Sequence, residues 1–149
     1  MDTKTQALAE AIITNLKNQH AWNDIELIHE SSAGPDLTKR PAPRTLIRGL
    51  PPRLLYLHPD DQRAALGAGI DASALEKPCV EWVLPMHLAE SFSVAGFATV
   101  FDAIDAPAPP FTTDGGKQRA KRLLLAVLHP DSTVVYYIIH DGIVKPRQN

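Results

Sequence analysis

Two short apolar runs near the end of the chain, Leu123 to Leu128 and Thr133 to Ile139, stand out from the polar positions around them. The second is rich in Val, Ile and Tyr, residues that suit a pleated, buried surface, and both runs predict strands. Between them lies His129-Pro130-Asp131-Ser132, where Pro presets φ and Asp or Ser can bond the backbone. The pattern predicts an antiparallel hairpin with a four-residue loop, its second strand ended by Asp141-Gly142. Because these elements are the most apolar of the chain, truncation after Lys121 is expected to unfold it.

Upstream, Leu8, Ile12 and Leu16, with Ala11 alongside, recur at helical spacing behind a T-x-x-Q capping box from Thr3 to Gln6. Trp22 to Ile28 then alternates as a short strand, Ile25 and Leu27 on one side and Asp24 and Glu26 on the other. Arg53 to His58 reads as another strand, followed by a short helix that opens at Pro59 and ends near Gly67 or Gly69. Val80 to Leu84 alternates like a strand and is expected to stop at Pro85. Ser93 has the chemistry of an N-cap for a helix with Val94, Phe97, Phe101 and Ile104 on one stripe; Gly96 inside it either weakens the helix or admits a close neighbour.

Two stretches interrupt these elements. Ser31 to Pro52 holds five prolines, and Asp105 to Gly116 is a second Pro/Gly stretch, so 31–52 and 105–116 are expected to be flexible loops. The sum is two main helices, a short third and about five strands. That is an α+β fold, a mixed and largely antiparallel sheet with helices packed on it.

At 149 residues and 44% hydrophobic, the chain can bury one sizeable core, and a single domain over 1–149 is expected. A net charge of −2 lacks the global basic signature of an autonomous nucleic-acid binder. Cys79 is the lone cysteine, which excludes an internal disulfide and fits a reducing compartment. With no apolar run of membrane-span length and no secretory-type start, an intracellular location is expected. The six histidines are scattered without ligand spacing and no phosphate-binding glycine loop occurs, so neither metal nor cofactor is expected.

Local charge is less bland. Lys39, Arg40, Arg44 and Arg48 are opposed by Asp36 alone, and Lys117, Arg119, Lys121 and Arg122 cluster at the mouth of the hairpin. Either these are ordinary solvated charges or they contact RNA phosphates. Tyr136 and Tyr137 could stack bases, but alternation puts one on each face, and sheet packing is the simpler role.

The stretch KRLLLAVLHPDSTVVYY, Lys121 to Tyr137, followed by DG and P, resembles the tRNA-splicing endonuclease family. VLPMHLAESFSVAGFATV, Val83 to Val100, resembles that family's strand, proline and Ser-capped helix. Asp131 to Pro146 and Ala7 to Ile28 are similar to the small structural subunit of the eukaryotic enzyme, the Sen fifteen type, and Gly49 to Gln62 looks like its fungal branch. The resemblance implies a catalytic-domain-like fold and a non-catalytic subunit of a nuclear heterotetramer. Such a subunit stabilises a cleaving homologous partner, meets the other subunits and helps position precursor tRNA. It also implies pairing through the last strand, with Val134, Tyr136, Ile138, His140, Asp141 and Gly142 as candidates. RNA contacts would then fall to the eight basic residues named above. An acidic loop that docks into the opposing pair would use Asp102, Asp105 and Asp114, or Asp131.

Cleaving members of that family use a Tyr, a His and a Lys without metal, in acid-base and electrostatic roles. Lys121 resembles the Lys position, but Glu76 stands where the His would be, and no Tyr lies between Asp60 and Leu75. With the triad incomplete no catalytic residue is expected; Lys121 is a relic, a phosphate contact or a salt-bridging surface residue. Two other readings stay open. The chain is a metal-independent endonuclease in its own right, with Tyr56, His58 or His140 around Lys121, or it is an interaction module that keeps the fold alone. Deprived of a partner, an exposed pairing edge is expected to allow a homodimer.

Overall fold

Apolar residues three and four apart wind Thr3–His20 into helix α1, whose buried stripe is Leu8, Ala9, Ile12 and Leu16. The computed structural model describes residues 3–29, 44–56, 59–69, 78–104 and 121–141. After α1 come β1 (Asn23–Ile28), β2 (Leu46–Leu50), α2 (Pro59–Gly67), β3 (Glu81–His87), α3 (Val94–Ala103), β4 (Arg122–Leu128) and β5 (Val134–His140). The five strands form one sheet in the order β1-β2-β3-β4-β5. Every neighbouring pair is antiparallel except β3 and β4, which run parallel with α3 between them in sequence.

Alternation along the inner strands divides the core in two. Ile47, Val83, Leu124 and Ala126 meet Leu8, Ile12, Leu16 and Trp22 on the α1 side. Their chain neighbours Leu46, Leu84 and Leu123 meet Val100, Phe101 and Ile104 on the α3 side. Each large side chain so buried contributes about 1.5–3 kcal/mol. β4 serves both halves, which is why the chain needs its final hairpin.

The hairpin forms as expected, but its loop is three residues, 130–132, rather than four, because His129 and Thr133 pair across it. Ser132 N–H donates to His129 O at 3.0 Å and His129 N–H to Thr133 O at 2.8 Å. Ser132 takes a left-handed φ of 71°, the third position of a turn followed by an αL residue. Ser93 caps α3, its Oγ accepting from Gly96 N–H at 3.0 Å. Gly96 admits a close neighbour: a Cβ there would lie 3.0 Å from the Phe92 ring.

Five further expectations need correction. Ser31 to Pro52 is not all loop, because Leu46–Leu50 is the second strand of the sheet; 30–43 lies outside the described residues. Gly49 is required there, since a Cβ would meet Trp22 at 3.0 Å and Ile25 at 3.2 Å, and it diluted the strand pattern. Arg53 to Tyr56 is correspondingly not a strand, as Pro51 and Pro52 end the ladder before it; Leu57 and His58 lie outside the described residues.

β3 runs through Pro85 to His87. β2 pairs with β3 no further than Val83, and the Pro85 carbonyl accepts instead from the Arg44 side chain at 3.0 Å. N–H and C=O of an extended residue project to the same side, so the donor that Pro85 lacks faces a side where the ladder has already ended. Finally, the α3 stripe is Val100, Phe101 and Ile104 with Phe97 half-buried, whereas Val94 is 68% exposed. At the start of α1, the Gln6 amide donates forward to Glu10 Oε1 at 3.1 Å rather than closing the expected box.

Candidate functional site

Among the described residues β5 is an edge of the sheet, and the hydrogen-bond pattern fixes what it offers. Asp141 N–H donates to Lys121 O at 2.7 Å, and Arg122 stands opposite His140. In an antiparallel pair this phase turns the backbone groups of residues 135, 137, 139 and 141 toward β4. Those of Val134, Tyr136, Ile138 and His140 point away from it, toward the open side. These are four of the six residues expected to meet a partner. Asp141 belongs to the inward set, and Gly142 lies outside the described residues.

The side chains match. Val134 and Tyr136 pack on the α1 side of the core, and Ile138 is 40% exposed. The Tyr136 hydroxyl donates to Asn15 Oδ1 at 2.6 Å, and its ring meets His20 edge-on at 5.2 Å. Desolvation by burial pushes the Tyr136 phenol up to about 12. Tyr137, 53% exposed, lies on the opposite face, as alternation requires. At the turn, Asp131 Oδ1 accepts from Thr133 N–H at 3.0 Å, and that bond holds its carboxyl below the usual range. Of the other acidic candidates, Asp102 is exposed on α3, while Asp105 and Asp114 lie outside the described residues.

The eight basic candidates do not assemble into one patch. Lys39, Arg40, Lys117 and Arg119 lie outside the described residues. Arg44 donates to Pro85 O at 3.0 Å and to Glu90 Oε1 at 3.2 Å, with its guanidinium over Phe92. Arg48 pairs with Glu26 at 3.6 Å and lies over the Trp82 ring. Lys121 Nζ donates to Phe101 O at 2.8 Å, so it is not a loose surface charge, and no carboxylate among the described residues pairs with it. Arg122 is the clearest correction: it is 8% exposed, and its Nε donates to both oxygens of Glu81, at 3.2 and 3.3 Å. Its Nη1 donates to Tyr56 O at 2.7 Å, which leaves no guanidinium for phosphate.

Sequence reasoning missed Glu81, which is 3% exposed. The signal was present in VEWVL, where Glu81 shares the phase of the core residue Val83. A carboxylate in an inward phase calls for a buried cation.

A family model described as Sen15 protein matches residues 11–149. The chain belongs to the Sen15 family. It is 41% identical over 161 aligned positions to a probable tRNA-splicing endonuclease subunit, tsp-1, of Neurospora crassa; the match covers 99% of this chain and 68% of that protein. It is 36% identical to the probable tRNA-splicing endonuclease subunit sen15 of Schizosaccharomyces pombe over 55% of this chain and 59% of the relative. To the tRNA-splicing endonuclease subunit SEN15 of Eremothecium gossypii it is 33% identical, over 47% of this chain and 52% of the relative.

In this Sen15-family chain the sheet divides the described candidates for a replacement triad, Tyr56 and His140, from Lys121. Glu81 and Arg122 share the α1 side with Val83 and Leu124. The Tyr56 ring contacts His140 at 5.1 Å there. Lys121, one residue before Arg122, reaches the α3 side to Phe101. Tyr56 and His140 therefore face a buried guanidinium already paired with Glu81, and the lysine stands behind the sheet. A base, an acid and a cation converging on one phosphate is not what this arrangement provides. Glu76 and His58 lie outside the described residues, and among those described no three His, Cys, Asp or Glu side chains gather as a metal site. No helix among the described residues is long and apolar enough to cross a membrane.

Proposed function

We propose that this chain is a non-cleaving structural subunit of a tRNA-splicing endonuclease, a single domain over 1–149 that docks a cleaving homologous subunit along β5. The observation that carries the reading is the edge strand itself. Its outward backbone groups, on Val134, Tyr136, Ile138 and His140, flank exposed Ile138, in a family whose named relatives are subunits of that enzyme. A strand added there gains main-chain hydrogen bonds and buries apolar surface. The division of Tyr56 and His140 from Lys121 by the sheet supports a subunit that assembles rather than cuts.

Ile138→Pro tests this directly. Its N–H points outward, so proline removes a donor for the partner and leaves the β4 ladder bonds in place. Co-expressed with the cleaving subunit encoded by the same genome, the variant is expected to fold but not to co-elute. Co-elution equal to that of the parent chain would overturn the reading. The isolated chain is expected to self-associate through the same edge, with light scattering showing a dimer that Ile138→Pro dissolves.

Precursor tRNA positioning falls in this proposal to Lys39, Arg40, Lys117 and Arg119, together with the exposed part of Arg48. Charge reversal at the first four is expected to weaken precursor binding by the assembled complex, most at low salt, and to flatten its salt dependence. Binding that is unchanged would remove RNA contact from the role. A nuclear location goes with the reading, and a fluorescent fusion of the full chain tests it.

A further inference from the structure

We propose that the buried Arg122–Glu81 pair is a positioning device for the far end of the docking edge, acting through Tyr56 on His140. The inference rests on the reading of β5 as that edge. Burying two charges seldom stabilises a fold more than an apolar pair of the same volume would, so a buried pair invites the question of what it orders. Here Arg122 and Glu81 are cross-strand neighbours at the start of β4 and β3, two residues before the Leu124 and Val83 register pair.

The guanidinium does more than neutralise Glu81. Its Nη1 donates to Tyr56 O at 2.7 Å, and that bond ties the non-strand segment 51–56 to the sheet. The Tyr56 ring then lies 5.8 Å from the guanidinium and edge-on to His140 at 5.1 Å. His140 stands opposite Arg122 and is the last β5 residue whose backbone groups turn outward. One residue later, Asp141 closes the ladder on Lys121 O. Arg122 thus holds, through Tyr56, the last described residue whose backbone groups face a partner strand. A docking edge fixed at that end loses less freedom on association.

The test replaces the pair as a unit, Glu81→Leu with Arg122→Met, and measures dissociation of the co-expressed cleaving subunit alongside melting and exchange of the Asp141 amide, which closes the ladder on Lys121 O. The expected variant melts cooperatively, exchanges faster at Asp141, and releases its partner about tenfold faster, since interface defects act mostly on dissociation. A parent-like dissociation rate with faster exchange at Asp141 overturns the proposal. Should the double variant not fold, Tyr56→Leu decides instead, because it removes the ring and keeps the backbone carbonyl that Arg122 uses. It is expected to speed release similarly, and a parent-like rate again overturns the proposal. Ile138→Pro separates the two claims. If it alone abolishes binding, the edge stands and the positioning role falls; if it binds like the parent, the docking edge falls first.

Discussion

Lys121 Nζ donates to the Phe101 carbonyl at 2.8 Å, joining the residue before β4 to the last turn of α3. Carbonyls in a last turn lack intrahelical donors and carry the negative end of the helix dipole, so a cation is well placed there. Ile104 N–H also reaches the same oxygen, at 3.4 Å. Lys121 thus serves as a cap on α3.

Lys121→Ala is therefore expected to lower stability by about 0.5–1 kcal/mol, which in a chain of this size lowers Tm by roughly 2–4 °C. Single-turnover cleavage by the reconstituted complex should stay within about twofold of the parent, because no transition-state charge is being lost. A loss of about a hundredfold or more, the size expected on removing a group that moves protons or stabilises charge, would return Lys121 to the chemistry.

Arg122 and Arg48 make a matched contrast. Arg122→Ala strands the Glu81 carboxylate in the core and should cost about 3–5 kcal/mol. Arg48 pairs with Glu26 at the surface, where an ion pair is worth under about 1 kcal/mol, with a similar amount from its place over Trp82. The urea midpoint of Arg122→Ala should fall clearly below that of Arg48→Ala, by about 1 M for each 1–3 kcal/mol of the difference. Equal midpoints would mean that the Arg122–Glu81 pair is not buried in solution.

How legible all this was in the sequence depends on how local each determinant is. The final hairpin, the Ser93 cap and the α1 stripe follow from neighbours a few residues apart, and period and turn chemistry sufficed. β2 did not show, because LIRGL carries an arginine that covers Trp82 and a glycine that Trp22 and Ile25 require, and both requirements come from other strands. The more apolar RLLYLH drew the assignment downstream instead. β3 outran its expected end at Pro85 because a proline is acceptable on the side of a strand where the ladder has stopped, which only strand order reveals. Of the candidate site, the docking role of β5 came from the family resemblance, and alternation supplied only which of its residues share a face. The basic cluster was not, since charge alone does not tell a phosphate ligand from the partner of a buried glutamate.

Gly49→Ala tests the close approach that hid β2. The new methyl would sit 3.0 Å from Trp22 Cε3 and 3.2 Å from Ile25 Cγ1, both in the α1-side core, and overpacking of this kind costs about 1–3 kcal/mol. Gly67→Ala is the control. It ends α2 with nothing within 4 Å of the added carbon, and should stabilise by about 0.4–1 kcal/mol. Thermal melts of the two should move in opposite directions; a neutral Gly49→Ala would mean that Trp22 is not seated over β2.

The last prediction concerns alkaline pH. Burial pushes the Tyr136 phenol up to about 12 from 10.0 and the Cys79 thiol up to about 11 from 9.0, Glu81 adding to the thiol's shift. Both groups hold their protons more tightly folded than unfolded, so the unfolded state ionises first as pH rises. The thiol's contribution is complete below pH 9.0 and lost by about 11, and the phenol's is complete below pH 10.0 and lost by about 12. Urea midpoints should therefore fall from pH 9.0 upward in the parent chain, and from about pH 10 in Cys79→Ala. Adding Tyr136→Phe should flatten the phenol's part of the remaining slope while lowering stability by about 1 kcal/mol below about pH 10, the worth of the hydrogen bond to Asn15. Absorbance at the tyrosinate band, compared between Tyr136→Phe and its parent, assigns the late-ionising phenol. If the slope between pH 10 and 12 survives Tyr136→Phe unchanged, the phenol is not desolvated and α1 does not cover the docking strand as described.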